Sequence, residues 1–260
     1  MKRAILFAGL VGSFTLVPIQ ACANVDGKFS LETGMDYNTG KYGASQSTDI
    51  LYVPVTARYQ GREWTLKLTV PYLQISGPAN VVVINGAGLT GVATTNTRST
   101  RSGLGDVLVA ATHNAYNGGP AGLVVNLTGK IKFGTASSAN GLGTGKNDYT
   151  VQSDMFKVSG NLTTFGTLGY RVYGSPAAYT LRNVFFGALG VSYKFDQATS
   201  GGVMLTGGQK VTATGSSRQE VLLFASHKLE RNWKTQGYLL KGFTNSVPDW
   251  GVGATVAYLF

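Results

Sequence analysis

The chain has 260 residues with 36 Gly, 7 Pro, 12 Phe, 13 Tyr and 3 Trp, and only 13% of them are charged, a composition that favours strands and turns over helices. Lysine and arginine number 22 against 12 aspartate and glutamate, a formal net charge of +10, and the mean hydropathy is near zero (+0.05). Beyond the N-terminal segment no apolar run reaches the ~18 residues of a membrane helix, which excludes a helical membrane protein and leaves a secreted β protein or a transmembrane barrel.

The chain begins with a basic Met1-Lys2-Arg3, continues with an apolar stretch over 4–19 and reaches a small-x-small site at Ala21-Cys22-Ala23. This pattern predicts a cleaved signal peptide over residues 1–23 and leaves 24–260 as the mature chain, one domain. Cys22 is the one cysteine, so the mature chain is expected to hold no disulfide and no thiolate metal site. A lipid anchor on Cys22 would need a better residue than Gln20 two positions before it. Without Lys2 and Arg3 the mature chain keeps 20 basic and 12 acidic residues, net +8.

Strict alternation then recurs along the chain. In residues 29–38, Phe29, Leu31, Met35 and Tyr37 alternate with Ser30, Glu32, Asp36 and Asn38, a strand with one greasy face. The pattern returns at 51–59, 64–72, 123–133, 185–195 and 233–243. It is less cleanly faced near 105–116, 148–159, 201–209 and 220–229. With 162–173 and 250–260 these make twelve antiparallel strands, with ten or fourteen as alternatives should the loop at 76–104, through Asn80 to Ile84, contribute a hairpin. Pro54 falls inside a predicted strand, where its missing N–H suggests a bulge, and Pro71 falls near the end of the next.

Connections alternate in length. Short turns are predicted around 60–63, 117–120, 159–161, 196–200 and 229–232, and long polar loops at 40–48, 76–104, 134–147, 174–181, 210–219 and 244–249. Short periplasmic turns and long outer loops are the layout of outer-membrane barrels. Aromatic residues follow it: Phe29, Tyr59, Trp64, Tyr193, Trp233 and Tyr258 near the short turns, and Tyr37, Tyr72, Phe133, Tyr149, Phe243 and Trp250 near the long loops. Two such girdles fit the faces of a bilayer.

The polar face of each strand then lines a lumen. Arg58, Lys67, Lys130, Lys132, Arg171, Lys194 and Lys234 are expected there against Glu32, Asp36 and Asp154, giving a net basic interior and weak anion preference. A filled lumen in which these charges pair, serving a structural or adhesive barrel, is the alternative. A lipid-modifying enzyme is the second. It would need a base from His113 or His227, which both map near short-turn ends, apart from any evident partner. No catalytic residue, metal site or cofactor is therefore assigned, and the Gly-rich stretch at 141–146 lacks the residues of a phosphate loop and reads as a loop tip.

Lys41, Arg98, Arg101, Lys146, Lys210 and Arg218 fall in predicted outer loops, where lipopolysaccharide phosphates would suit them; nucleic acid is not expected as a partner. Asp106 follows Ser-Gly-Leu-Gly at a strand entrance and reads as a turn acceptor.

Ser102 to Val107 (SGLGDV), Lys132 to Tyr149 (KFGTASSANGLGTGKNDY) and Leu168 to Tyr170 (LGY) resemble the phenol-degradation MetA-pathway family of outer-membrane transporters. The resemblance extends over most of the mature chain through spacing, although Phe133-Gly134-Thr135 stands where the family has Pro-Thr-Gly. It implies an outer-membrane barrel that passes small organic, including aromatic, compounds, and it carries over no site residues. The last strand, Trp250 to Phe260, also resembles the C-terminal signal read by the barrel-assembly machinery, with Tyr258 and Phe260 as its key positions. Solute identity and oligomeric state have no signature in the sequence.

Overall fold

The computed structural model describes residues 27–78, 98–118, 122–177 and 180–260. The signal-peptide reading and the Asn80 to Ile84 hairpin lie outside them. The strands are β1 (Lys28–Gly40), β2 (Thr48–Gln60), β3 (Trp64–Pro78), β4 (Arg98–Leu104), β5 (Leu108–Gly118), β6 (Leu123–Lys132) and β7 (Asp148–Ser159). They continue as β8 (Leu162–Val172), β9 (Val184–Lys194), β10 (Thr199–Gly208), β11 (Arg218–Lys228), β12 (Trp233–Gly242) and β13 (Trp250–Leu259).

Every pairing is antiparallel, and β13 pairs with β1 over ten rungs from Ser30↔Leu259 to Thr39↔Trp250. The sheet is thereby closed into a twelve-stranded barrel with one extra strand, β4. Closure leaves the wall's backbone groups hydrogen-bonded to one another, as a hydrocarbon surrounding demands. Outward positions carry Leu189, Leu168, Leu205, Leu239 and Val151, all well exposed, while the alternate positions are covered. Phe29, Tyr59, Trp64, Tyr193 and Trp233 at one rim, and Tyr37, Tyr72, Phe133, Tyr149, Phe243 and Trp250 at the other, are likewise exposed. An apolar belt between two aromatic girdles is the surface a bilayer selects.

β4 and β5 share one place in the wall. β3 pairs with β5 along Trp64 to Thr69 and with β4 along Tyr72 to Pro78. Between them, Val70 and Pro71 face Gly105, Asp106 and Val107, three residues against two. Pro71 has no N–H to offer there, so the one backbone bond at the break runs the other way, from Gly105 N to the Pro71 carbonyl at 2.8 Å. The expected loop at 76–104 is thus shorter, with Arg98 and Arg101 on β4.

The bulge expected at Pro54 is absent. Thr33↔Val55 and Asp36↔Tyr52 keep one register on either side of it, so no residue is inserted. Pro54 instead stands opposite Pro71. Directly opposed residues of an antiparallel pair can lie at a non-hydrogen-bonded rung, where neither needs an N–H toward the other. The register shift occurs in β5, between Asn114 and Tyr116.

The short turns have local causes. In the β9–β10 turn Asp196 Oδ1 accepts from the N–H of Ala198 (2.6 Å) and of Thr199 (2.7 Å), and these bonds hold its carboxyl below the usual range. Gly160, with φ +61°, makes the β7–β8 turn.

Candidate functional site in the barrel lumen

Glu32 and Asp36 lie on β1, Arg58 on β2, Lys67 on β3, Lys130 and Lys132 on β6, Asp154 on β7, Arg171 on β8, Lys194 on β9 and Lys234 on β12. Each occupies the inward parity of its strand, alternate to the lipid-facing leucines. Cross-strand register brings four of the cations onto one row: Arg58 is opposite Lys67, Lys67 opposite Ala110, Ala110 opposite Lys130, Lys130 opposite Thr150, and Thr150 opposite Arg171. Small residues on β5 and β7 space the long side chains. Lys194 stands apart, exposed at the short-turn end.

The inward carboxylates are held by neutral donors as well as by charge. Tyr238 Oη donates to Asp36 Oδ1 at 2.6 Å. Asp154, 1% exposed, accepts from Thr167 Oγ1 at 2.6 Å and from Gln152 Nε2 at 2.9 and 3.0 Å. Arg171 Nε donates to Thr150 Oγ1 at 3.0 Å, and its guanidinium lies 5.3 Å from the centre of the Phe186 ring.

At the long-loop end the loop of residues 133–147 folds back over the break between β4 and β5. Lys132 Nζ lies 2.5 Å from Asp106 Oδ2 and 3.3 Å from Asp148 Oδ2, and donates to the Lys146 carbonyl at 3.0 Å. Asp106 Oδ1 in turn accepts from Ala136 N at 2.9 Å, so one carboxylate joins strand break, β6 and loop. A Cβ on Gly143 would come within 3.0 Å of both Asp106 oxygens, and one on Gly134 within 2.5 Å of the Gly145 carbonyl carbon. These glycines let the loop approach so closely, while Gly141 and Gly145 turn it with φ of +66° and +65°. Asp106 is therefore more than a turn acceptor. The loop buries Ala136 and Leu142 against Ile50, Tyr52, Leu73 and Ile75, with Tyr42 of the β1–β2 loop beside them. Burial pushes the Tyr42 hydroxyl well above its ordinary range.

A second inward cluster has no counterpart in the sequence reading. Phe156, Phe165, Phe186, Met204, Leu222, Phe224, Tyr238 and Leu240 line the inner wall from β7 to β12 and are almost wholly covered. The rings of Phe165, Phe186, Phe224 and Tyr238 lie over glycines of neighbouring strands. A Cβ on Gly190 would sit 2.3 Å from Phe165 Cζ, on Gly169 2.2 Å from Phe186 Cζ, and on Gly253 2.3 Å from Tyr238 Cε1. Phe165 is 6.4 Å, ring centre to ring centre, from both Phe156 and Phe224. The available signal was the inward-parity glycine beside four of these aromatics, which alternation alone does not weigh.

Below those rings, at the short-turn end, a cavity of about 200 Å³ opens, lined by Arg58, Glu32, Lys194, Lys228, Arg231 and Lys234 among others. The two histidines do not meet. His113 on β5 faces outward against Trp64 (ring centres 4.7 Å apart), and His227 on β11, six places around the barrel, bonds Thr199 Oγ1 through Nδ1 at 2.9 Å. Among the described residues no group of three His, Cys, Asp or Glu is placed to hold a metal ion.

At 14% identity, an outer membrane channel from Pseudomonas putida F1 has the same fold, with a TM-score of 0.69 over 92% of this chain and 97% of that one. The KdgM porin, also at 14% identity, gives a TM-score of 0.52 over 88% of this chain and 98% of its own. The same porin in complex with disordered oligogalacturonate gives 0.53 at 15% identity over the same shares. No curated protein is significantly similar in sequence. The family described as "Putative MetA-pathway of phenol degradation" matches residues 23–260, nearly the whole chain. With its Gly-rich segments gathered around Asp106 and Lys132 in a closed twelve-stranded wall, the chain belongs to that family.

Proposed function

We propose that the protein is an outer-membrane channel that passes small organic solutes passively, with a net basic lumen. The observation that carries this reading is the row of Arg58, Lys67, Lys130 and Arg171 across the inner wall, since fixed charge lining a path sets which ions it prefers. Family membership and the channel fold of its structural relatives support it. The short-turn end faces the periplasm on this reading, and the long loops, with Lys41, Lys146 and Lys210, face the phosphates of lipopolysaccharide. Residues 1–23 direct export, and Tyr258 and Phe260 serve recognition by the barrel-assembly machinery. In planar bilayers the purified barrel is expected to give single-channel steps whose reversal potential in a salt gradient has the sign of anion preference. A cation-selective sign would remove the charge argument.

A second reading, a filled structural barrel, is favoured by the near-complete cover of Phe156, Met204, Leu222 and Leu142. Under it the same bilayers show no steps at all.

A further inference from the structure

We propose that the short-turn end of the lumen is a binding site for a small organic carboxylate with an apolar, ring-sized body. The inference rests on the reading of a solute-passing lumen and names the class of solute that would pause there.

The first support is a guanidinium with one unpaired N–H. Arg58 is 7% exposed and lines the cavity, its Nη2 donates to Gln60 Oε1 at 3.1 Å, and its Nε has no hydrogen-bond partner among the described residues. A covered guanidinium N–H without an acceptor is costly, and a carboxylate is the acceptor whose two oxygens match the fork. The second is the charge of the walls. Lys234 stands on the same rung as Glu32, across Ala257, and Lys194, Lys228 and Arg231 ring the mouth. Opposing them are Glu32, whose Oε1 is also unpaired, and Asp196, whose Oδ1 is occupied by the Ala198 and Thr199 N–H groups. The cations outnumber these two, so an entering monoanion is attracted on balance.

The third support is the apolar share of the lining, where Val158, Ala198, Ala257 and Leu259 stand beside Trp233 and Tyr258. Inorganic anions gain nothing from such a surface, whereas a planar apolar body gains area and ring contact. The volume of about 200 Å³ matches some seven water molecules at ~30 Å³ each, room for one ring and its carboxylate.

The test is calorimetric titration of the purified, folded barrel with benzoate, phenol and acetate, which carry both features, the ring alone and the charge alone. Benzoate is expected to bind at least about tenfold more tightly than either, and Arg58→Gln to weaken it about tenfold, one charge-assisted hydrogen bond. Lys234→Gln removes another cation of the lining, should weaken it too and provides a second variant should Arg58→Gln fail to fold. Equal binding of benzoate and phenol, equal binding of benzoate and acetate, or benzoate binding unchanged in a folded variant would overturn the site. Conductance is read separately: steps without benzoate binding sink the site and spare the channel, and binding without steps does the reverse.

Discussion

Glycine beside an inward aromatic is the smallest unit of this lumen. Phe165 lies across Gly190 because that strand has no side chain there, and the ring's position then fixes its contacts with Phe156 and Phe224. Gly190→Ala places a methyl where the ring is, so it is expected to lower stability by about 1–3 kcal/mol, the usual range for overpacking. Denaturant-driven unfolding of the barrel in lipid vesicles measures the loss, and Phe165→Leu in the same chain should recover part of it. No rescue would mean that Gly190 matters for its backbone alone. The alternation that marks the outward leucines is visible in the sequence because lipid demands one face of every strand. The inward aromatics are not, because Leu222 and Phe224 differ in no local respect from Leu223, which faces lipid. Only the register of neighbouring strands separates inner from outer apolar residues where both occur.

On the scale of the element, the loop of 133–147 and the broken β4–β5 strand form a unit fastened by Lys132 between Asp106 and Asp148. Lys132→Met leaves two covered carboxylates without their cation, a loss of about 3–5 kcal/mol by analogy with other broken buried pairs. The loop should then leave the mouth, and single-channel conductance in planar bilayers is expected to rise relative to the parent. Asp106→Asn and Asp148→Asn added to Lys132→Met remove all three charges, and this triple variant should fold better than the single one. Unchanged conductance in the folded single variant would show that the loop does not narrow the path. The Gly-rich segments that the sequence offered as a family resemblance turn out to be the parts of this fastening. Their spacing was legible, but that Asp106 and Lys132 meet was not, since it depends on β5 and β6 pairing at Leu108↔Lys132.

For the whole molecule, closure is carried by β1 and β13, and the seam ends in rings that meet tilted and edge-on. Phe260 N donates to the Phe29 carbonyl at 3.0 Å, its ring centre is 5.4 Å from that of Phe29 and 4.9 Å from that of Tyr258, and Tyr258 also meets Trp233 at 4.9 Å. Each such pair contributes about 0.5–1.5 kcal/mol beyond area burial. Phe260→Ala is expected to reduce the amount of folded barrel in the membrane several-fold while the conductance of each assembled molecule stays the same, checked by quantitative immunoblot of membranes beside single-channel recording. Normal membrane levels would remove Tyr258 and Phe260 from any part in assembly. Twelve strands, their faces and the alternation of short and long connections could be read from the chain, because each rests on a period of two or on turn-forming residues. The extra strand could not, since the polar run from Arg98 to Ser102 has no apolar face and takes its place by pairing along β3.

Among the described residues that extra strand is paired on one side alone, and Arg101 Nη1 donates to the Asn140 carbonyl of the folded loop at 3.4 Å. The strand's other side presents a row of peptide groups to the outside water, the template on which a neighbouring chain could add itself. Seven residues of length and the charges of Arg98 and Arg101 make it a poor template. A molecule of this design can open its mouth without inviting its neighbours to join it.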